Sequence, residues 1–424
     1  MIDIKLLRED PEAFKTAAKV KKIDADIDAV LDLDHKTRRA KQKLQQIRTT
    51  QNQVGKQIAQ CKDESDRRSL IQEMSDLKSQ AQDHAELLRE AEAELDGLLL
   101  LVSQPADEGV PVGEDDSDNV EVRRVGEIPR FDFEVKDHVE LGAALDIIDI
   151  ERGVKLAGTR NYVLKGAGAL MHQAVLRLAV DRMLAKGYVL LTVPVLVREE
   201  VMYGTGFFPV GKEQTYVVER DALNLAGTAE VPVTALHSEE ILDEAELPKK
   251  YVALSTCFRR EAGAAGKDTY GLYRIHCFDK VEQVVIGPND KARSVGLHEE
   301  ILANAEEVLT ELELPYRVVN VCTGDLGQGQ AQKFDIEAWM PSRNSYGETH
   351  SASRFYEFQA RRLNLRYRDA EGKIGFCHTL NNTVIASPRI LIPLLELNQN
   401  ADGSVTVPAA LRPYMNGMER IGPA

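Results

Sequence analysis

From Ala40 onward, apolar positions return with a period of seven. Ala40, Leu44, Ile47, Gln51, Val54, Ile58 and Cys61 step by four and three without a break. After the polar run Lys62-Asp63-Glu64-Ser65-Asp66 the same steps resume through Leu70, Met74, Leu77, Ala81, His84, Leu88, Ala91, Leu95 and Leu98. Two helices that each carry a 3.5-residue stripe and share a short turn can bury it only against each other, so residues 1–103 are predicted to hold an antiparallel coiled-coil hairpin. Gln51 and His84 interrupt the seam and read as register or packing features rather than ligands. Gln104-Pro105 ends the helical pattern, and residues 104–130, with the acidic run VPVGEDDSDN, read as a turn-rich linker.

The body, residues 131–424, mixes helical and β-rich runs, which makes the predicted class α+β. Residues 168–186 read as a helix with Leu170, Met171, Ala174, Val175 and Leu178 on one side, closed by Gly187. The run YVLLTVPVLV, residues 188–197, follows as a strand. Residues 258–282, FRREAGAAGKDTYGLYRIHCFDKVE, place two apolar-flanked segments around a loop containing Gly263, Gly266, Lys267, Asp268 and Gly271. That layout predicts an antiparallel hairpin. Strand side chains alternate between faces, so Arg274, Phe278 and Glu282 are predicted to share one. Such a face offers a cation for phosphate, a ring for a base and a carboxylate for an amine, a site for a nucleotide and an amino acid together.

Composition narrows the setting. With 43% hydrophobic residues among 424, the chain can build a sizeable core, and no apolar run approaches the ~20 residues of a membrane helix. The start MIDIKLLREDPEAF is acidic and lacks a small-residue cleavage site, so no secretory signal is expected. The five cysteines are odd in number, with no CxxC pair, which points to reduced cytosolic thiols and no structural zinc. A net charge of −15 argues against a nucleic-acid partner only if it is evenly spread. Residues 35–62 contain Lys36, Arg38, Arg39, Lys41, Lys43, Arg48, Lys56 and Lys62 and no acid, leaving −23 for the rest. The second helix is acidic, through Glu73, Asp76, Asp83, Glu86, Glu90, Glu92, Glu94 and Asp96. Pairing between helices and binding of a polyanion both account for the basic stretch.

Four segments, in order, resemble motifs of the class II aminoacyl-tRNA synthetases, in their seryl-tRNA synthetase form. They are GTAEV around Thr228 and Glu230, the hairpin at 258–282, ETHS at 348–351 followed by FQARR at 358–362, and HTLNNTVIASPR at 378–389. The resemblance runs from the helical arm to the PYM around Tyr414. It implies a catalytic domain on an antiparallel sheet flanked by helices, with the 168–197 helix and strand as motif 1 of a homodimer interface. It further implies cytoplasmic activation of L-serine by ATP with Mg²⁺, and transfer to tRNA(Ser), with tRNA(Sec) as a further acceptor. The arm would grip tRNA through Lys36, Arg38, Arg39, Lys41, Lys43, Arg48 and Lys56.

By the same resemblance, Thr228, Ala229 and Glu230 would take serine's ammonium end, and Glu282 and Thr383, assisted by Asn381, its side chain. A guanidinium fork can hold two oxygens as charge passes between them, which makes Arg259 the candidate for the α-phosphate and the serine carboxylate. Arg389 would hold the far end of ATP, Phe278 would stack on adenine, and Glu261 would read its amino edge beside Ile275. Arg260, Arg274, Thr349 and His350 complete the implied ATP set. Glu348 and Ser351 are hard oxygen donors suited to Mg²⁺. The chain departs from the usual family pattern at Arg260, Tyr270 and Cys277. Two other readings compete. One is a paralogue that loads serine on a carrier protein or metabolite, and such relatives tend to lack the arm. The other is a catalytically silent RNA-binding scaffold, which is expected to lose Arg259, Glu282 or Arg389.

Overall fold

A computed structural model describes residues 1–263, 266 and 268–422, and Lys267 of the hairpin loop lies outside the described residues. The chain divides into two compact units, residues 2–103 and residues 104 onward with Met1.

The first unit opens with two short helices, Ile4–Glu9 and Pro11–Val20, and continues as two long ones, α1 (Ile27–Gln60) and α2 (Glu64–Leu99), packed along each other. Asp26 and Asp63 cap their N-termini, accepting from the Ala29 N–H at 2.9 Å and from the Ser65 and Asp66 N–H groups at 2.8 and 3.0 Å. The cap at Asp63 pulls Glu64, Ser65 and Asp66, expected in the turn, into the second helix. The predicted seam is the least exposed stripe of the hairpin, with Leu44, Ile47, Val54 and Leu95 buried and their heptad partners half-buried. Gln51 lies in it with its amide donating to the Leu77 carbonyl at 3.0 Å, so the intrusion is satisfied across the seam.

The second unit is built on an eight-stranded sheet. Its strands are β1 (Val120–Val125), β2 (Val189–Leu191), β3 (Lys249–Phe258), β4 (Cys277–Gly287), β5 (Tyr316–Asn320), β6 (Gln332–Met340), β7 (Ser345–Tyr356) and β8 (His378–Ser387). Their spatial order is β1-β5-β6-β7-β8-β4-β3-β2, antiparallel throughout apart from the edge pair β3–β2. Helices α3 (Gly166–Ala185) and α5 (Lys291–Glu311) pack on one face, and the short helices α4 (Glu230–Thr234), α6 (Phe358–Arg362) and α7 (Leu391–Leu397) border the rest. Met171, Val175 and Leu178 of α3, Ile301 and Leu302 of α5, and Val281, Val285, Leu380 and Val384 of the sheet share the main core. Gln283 and Asn382 sit on this covered face, and both donate to the Ile301 carbonyl, at 2.8 and 2.6 Å. Alternation then turns Phe278, Lys280 and Glu282 of β4, and Asn381 and Thr383 of β8, to the opposite face.

Three sequence expectations are corrected here. The strand predicted over 188–197 is two: Val189–Leu191 joins the large sheet, while Leu196–Arg198 belongs to a small sheet with Leu223–Leu225 and Val217–Val218. Pro194 lies in the break, where it has no N–H to give to a ladder. Residues 104–130 are not a free linker. The Gln104 and Asp107 N–H groups donate to Gln328 and Ala331 carbonyls at 3.0 and 2.8 Å, and β1 is the sheet's edge strand. Arg274 precedes β4, which begins at Cys277, so it does not share the strand parity of Phe278 and Glu282. Helix α3 ends as expected, with Gly187 in the left-handed region at φ +81° and the Tyr188 N–H returning to the Met183 carbonyl at 3.1 Å.

Candidate functional site

The open face of β4 and β8 carries the chemistry. Phe278, Lys280, Thr383 and Ala386 line a cavity, together with Arg259, Glu261, Leu272, Tyr273 and Ile275 from the hairpin loop. Glu348 and Thr349 of β7 and Arg389, after β8, close it. Arg259 stacks its guanidinium over the Phe278 ring at 5.2 Å, while its Nε–H donates to the Gly227 carbonyl at 3.4 Å. Arg389 donates from Nε to the Tyr273 carbonyl and from Nη1 to the Glu348 carbonyl, both at 2.9 Å, and lies 4.5 Å from the Tyr273 ring centre. The cavity is therefore a slot of mixed charge, Arg259, Lys280 and Arg389 with Glu261 and Glu348, bordered by the Phe278 and Tyr273 rings. Desolvation of the Glu348 carboxyl is outweighed by the cations Arg389, Lys333 and Arg259, which hold it below the usual carboxylate range.

Deeper in the same face sits a pair of buried carboxylates. Glu282, 2% exposed, is ion-paired with Lys280 and accepts from Thr383 Oγ1 at 3.4 Å. Glu230, 8% exposed, opens helix α4 and accepts from Gln359 Nε2 at 2.8 Å. Its own N–H donates to Thr228 Oγ1 at 3.1 Å. Burial pushes Glu230 up to about 7, the Glu282 charge adds to this, and the hydrogen bond from Gln359, the Lys280 charge and the nearby Asn381 amide oppose it. The buried Asn381 amide nitrogen has no hydrogen-bond partner among the described residues. Two acids, a hydroxyl and an idle amide donor thus face a space suited to a small molecule carrying both an ammonium and a hydroxyl.

A β-bulge arranges the third group. The β6–β7 register slips between Ile336 and Glu337, so Ile336 faces His350 while Glu337 faces Glu348. In a regular strand Glu348 and Ser351 would point to opposite faces, and the extra residue, Thr349, restores them to the same one. Across the ladder from Ser351 lies Asp335, 5% exposed, whose Oδ1 is partnerless among the described residues. Burial pushes Asp335 up to about 7, with the Lys333 cation opposing and the Glu348 charge adding. Among the described residues, no group of three His, Cys, Asp or Glu forms a ready-made metal cage. The hard oxygens of Glu348 and Ser351, beside the idle Asp335 oxygen, fit a Mg²⁺ ion that keeps most of its shell on phosphates and water.

Not every expected residue lines this cavity. Arg260 donates to the Glu213 carbonyl at 3.0 Å and is not among the lining residues. His350 falls on the covered face, where its ring nitrogens bond Thr349 Oγ1 at 2.8 Å and the Val384 carbonyl at 2.9 Å. Burial lowers its pKa to about 4, so it is a neutral core group. Ala229 contributes its methyl to an apolar cluster. Arg274 reaches the rim indirectly, through a 2.8 Å ion pair to Glu261. Conversely, Lys280, Tyr273, Asp335 and Gln359 are site groups that sequence reasoning passed over. Strand parity already gave Lys280, midway between Phe278 and Glu282.

In the arm, Lys36, Arg38, Arg39, Lys41, Lys43, Arg48 and Lys56 are all exposed. Arg38 pairs with Asp34 at 3.0 Å and Lys41 with Glu92 at 2.7 Å. The other five have no ion pair among the described residues.

Comparison with known proteins follows the same division. Residues 1–104 match the family model of the seryl-tRNA synthetase N-terminal domain, and residues 216–398 that of the tRNA synthetase class II core domain (G, H, P, S and T). The chain is 47% identical over 422 residues to a serine–tRNA ligase of Deinococcus radiodurans, covering 100% of this chain and 99% of that protein. A solved seryl-tRNA synthetase from Pyrococcus horikoshii, complexed with ATP, superposes with a TM-score of 0.94 at 37% identity and covers both chains fully. A cytoplasmic serine–tRNA ligase from Naegleria fowleri in complex with AMP gives 0.89 at 32% identity, covering 100% of this chain and 99% of its own.

Proposed function

The chain belongs to the seryl-tRNA synthetase family, and on that premise we propose how its residues activate serine with ATP and charge tRNA(Ser). The enzyme is a class II serine–tRNA ligase. A serine carboxylate oxygen attacks the α-phosphorus of ATP in line, and the bond to pyrophosphate breaks. A hydroxyl of the tRNA's terminal ribose then attacks the seryl carbonyl and AMP leaves. Neither step requires covalent help from a side chain, so positioning and charge neutralisation carry the catalysis.

Glu230, with Thr228 beside it, takes the ammonium. Glu282 and Thr383 take the hydroxyl, with the idle Asn381 amide as a further donor. Such a site rejects alanine because its buried polar groups would be left unpaired. Arg259 leaves its resting place over Phe278 to bridge the serine carboxylate and the α-phosphate, freeing the ring for adenine. Glu261 meets the adenine amino edge beside Ile275, and Arg389 binds the far phosphate. Glu348 and Ser351 would hold Mg²⁺, which supplies neutralisation of phosphate charge when bound. The exposed cations of the arm bind the tRNA backbone.

Helix α3 and the two strands after it, Val189–Leu191 and Leu196–Arg198, serve as a homodimer surface, supported by the exposed apolar side chains Val189, Leu190 and Leu196. A cytoplasmic location accords with the name of the Naegleria relative. No helix among the described residues is long and apolar enough to cross a membrane. Residues 1–103 act as the tRNA arm and the remainder as the catalytic body.

The observation that carries this reading is the buried Glu230, Glu282, Thr383 and Asn381 cluster opening on the Arg259, Phe278 and Arg389 cavity. Serine-dependent exchange of pyrophosphate into ATP, followed by charging of purified tRNA, tests it. Exchange driven by serine in preference to alanine or threonine, with serylation of tRNA(Ser), is expected. Exchange specific for another amino acid, or transfer only to a carrier protein, would overturn it.

A further inference from the structure

FQARR, residues 358–362, is the matched motif to which no role has yet been given. Its Gln359 is 0% exposed and is not among the residues that line the cavity. Its Nε2 donates to Glu230 Oε1 at 2.8 Å and to the Thr205 carbonyl at 3.0 Å, and its Oε1 accepts from Thr379 Oγ1 at 2.6 Å. A carbonyl only accepts, so the amide can stand in one orientation alone, since reversing it would set its oxygen against both Thr205 and Glu230. Gln359 thus locks one carboxylate oxygen of Glu230 and makes no contact with the other.

We propose that Gln359 is a positioning residue for serine recognition, holding Glu230 as a carboxylate aimed at the ammonium, so that serine binding expels a proton from the Glu230–Glu282 pair. This rests on the serine-activating reading above. The charges around Glu230 explain the coupling. On β4 it faces Glu282 and Lys280, and Lys280 is already committed to Glu282. On α6, Arg361 is bound to Glu357 at 2.6 Å and Arg362 to the Tyr203 and Phe208 carbonyls at 3.1 and 3.2 Å. Cys257 of β3, near Glu282, is a thiol that burial keeps neutral. Asn381, Thr383 and Thr379 of β8 do not titrate. The pocket's own residues thus supply two acids and one cation, and Glu230 is held above the usual carboxylate range. Serine's ammonium is the missing countercharge. As it enters, the proton leaves Glu230 for solvent, and the Gln359 N–H stabilises the carboxylate that remains.

The test is pyrophosphate exchange by the full-length protein from about pH 6 to about pH 8.5, with KM for serine and ATP measured separately. For the native protein, serine KM should rise as pH falls below about 7, while ATP KM stays flat. Gln359→Leu should raise serine KM at neutral pH by roughly ten- to a hundredfold, with kcat and ATP KM little changed. Because the loss lies in ionising Glu230, the gap should narrow as pH rises. Thr379→Val, which removes only the hydrogen bond anchoring the amide oxygen, should act in the same direction and more weakly. If Gln359→Leu does not fold, Thr379→Val and the native pH profile decide. A pH-independent serine KM in the native protein, or a variant that loses kcat equally at every pH with serine KM unchanged, would overturn the inference. Absence of any serine-dependent exchange in the native protein would instead overturn the function proposed above.

Discussion

In the arm, the basic side chains stand in solvent on a hairpin whose seam is only partly buried. In the body, Glu230, Glu282, Lys280 and Asp335 are almost sealed from water and bonded to one another or to buried amides and hydroxyls. The same residue types therefore work under different physics. An exposed lysine contributes little by itself, acts over about a Debye length and is screened by salt. A buried carboxylate acts over one hydrogen bond, and its loss leaves a partner stranded. The arm can attract a polyanion with a field that tolerates changes at single positions, while the body discriminates a small molecule and tolerates few.

If that contrast holds, the largest effect of a single substitution should come from Glu282→Ala. It removes the acid facing serine and strands Lys280, with an expected stability loss of about 3–5 kcal/mol by denaturant melts. Serine-dependent exchange should fall by at least roughly ten- to a hundredfold while ATP binding, followed by equilibrium titration, is largely retained. Near-normal exchange would remove Glu282 from the site. Arg259→Lys keeps the charge but cannot span carboxylate and phosphate, so turnover in exchange should drop by about a hundredfold. A change confined to KM for ATP would contradict the bridging role. The smallest effect belongs to the arm. Gln51→Ala deletes the bond to the Leu77 carbonyl and should cost about 1 kcal/mol in a melt of the arm, with exchange unaltered. A loss of exchange in that variant would blur the division between the regions.

The two regions also differ in what could be read from residue order. The hairpin was legible because a heptad is a local pattern, and each seam position could be counted before any partner was known. The β3–β4 hairpin was legible for a similar reason, as two apolar strands around a glycine-rich loop. What stayed hidden depends on contacts between distant segments. Nothing in ETHS announces the bulge that turns Glu348 and Ser351 to one face and sends His350 to the other. The acidic run before Val120 reads as a linker because its hydrogen-bonding partners, Cys322, Thr323 and Gly324, lie more than two hundred residues away. Pro194 did signal a break, yet a continuous apolar run masked it. Gln359 was visible only as part of a motif, and its bond to Glu230 spans 129 residues.

The central claim is that the body activates serine without help from the arm's charges, and that those charges bind tRNA. Replacing Lys36, Arg39, Lys43, Arg48 and Lys56 together with Gln leaves the hairpin seam and the Arg38–Asp34 and Lys41–Glu92 pairs intact. Exchange and tRNA charging should be measured side by side on this variant and the native protein, over a series of salt concentrations. The account predicts unchanged exchange, charging at limiting tRNA reduced by about a hundredfold or more at moderate salt, and a shallower dependence of charging on salt. Equal charging by both proteins with the same salt dependence would contradict it and leave the arm a spacer.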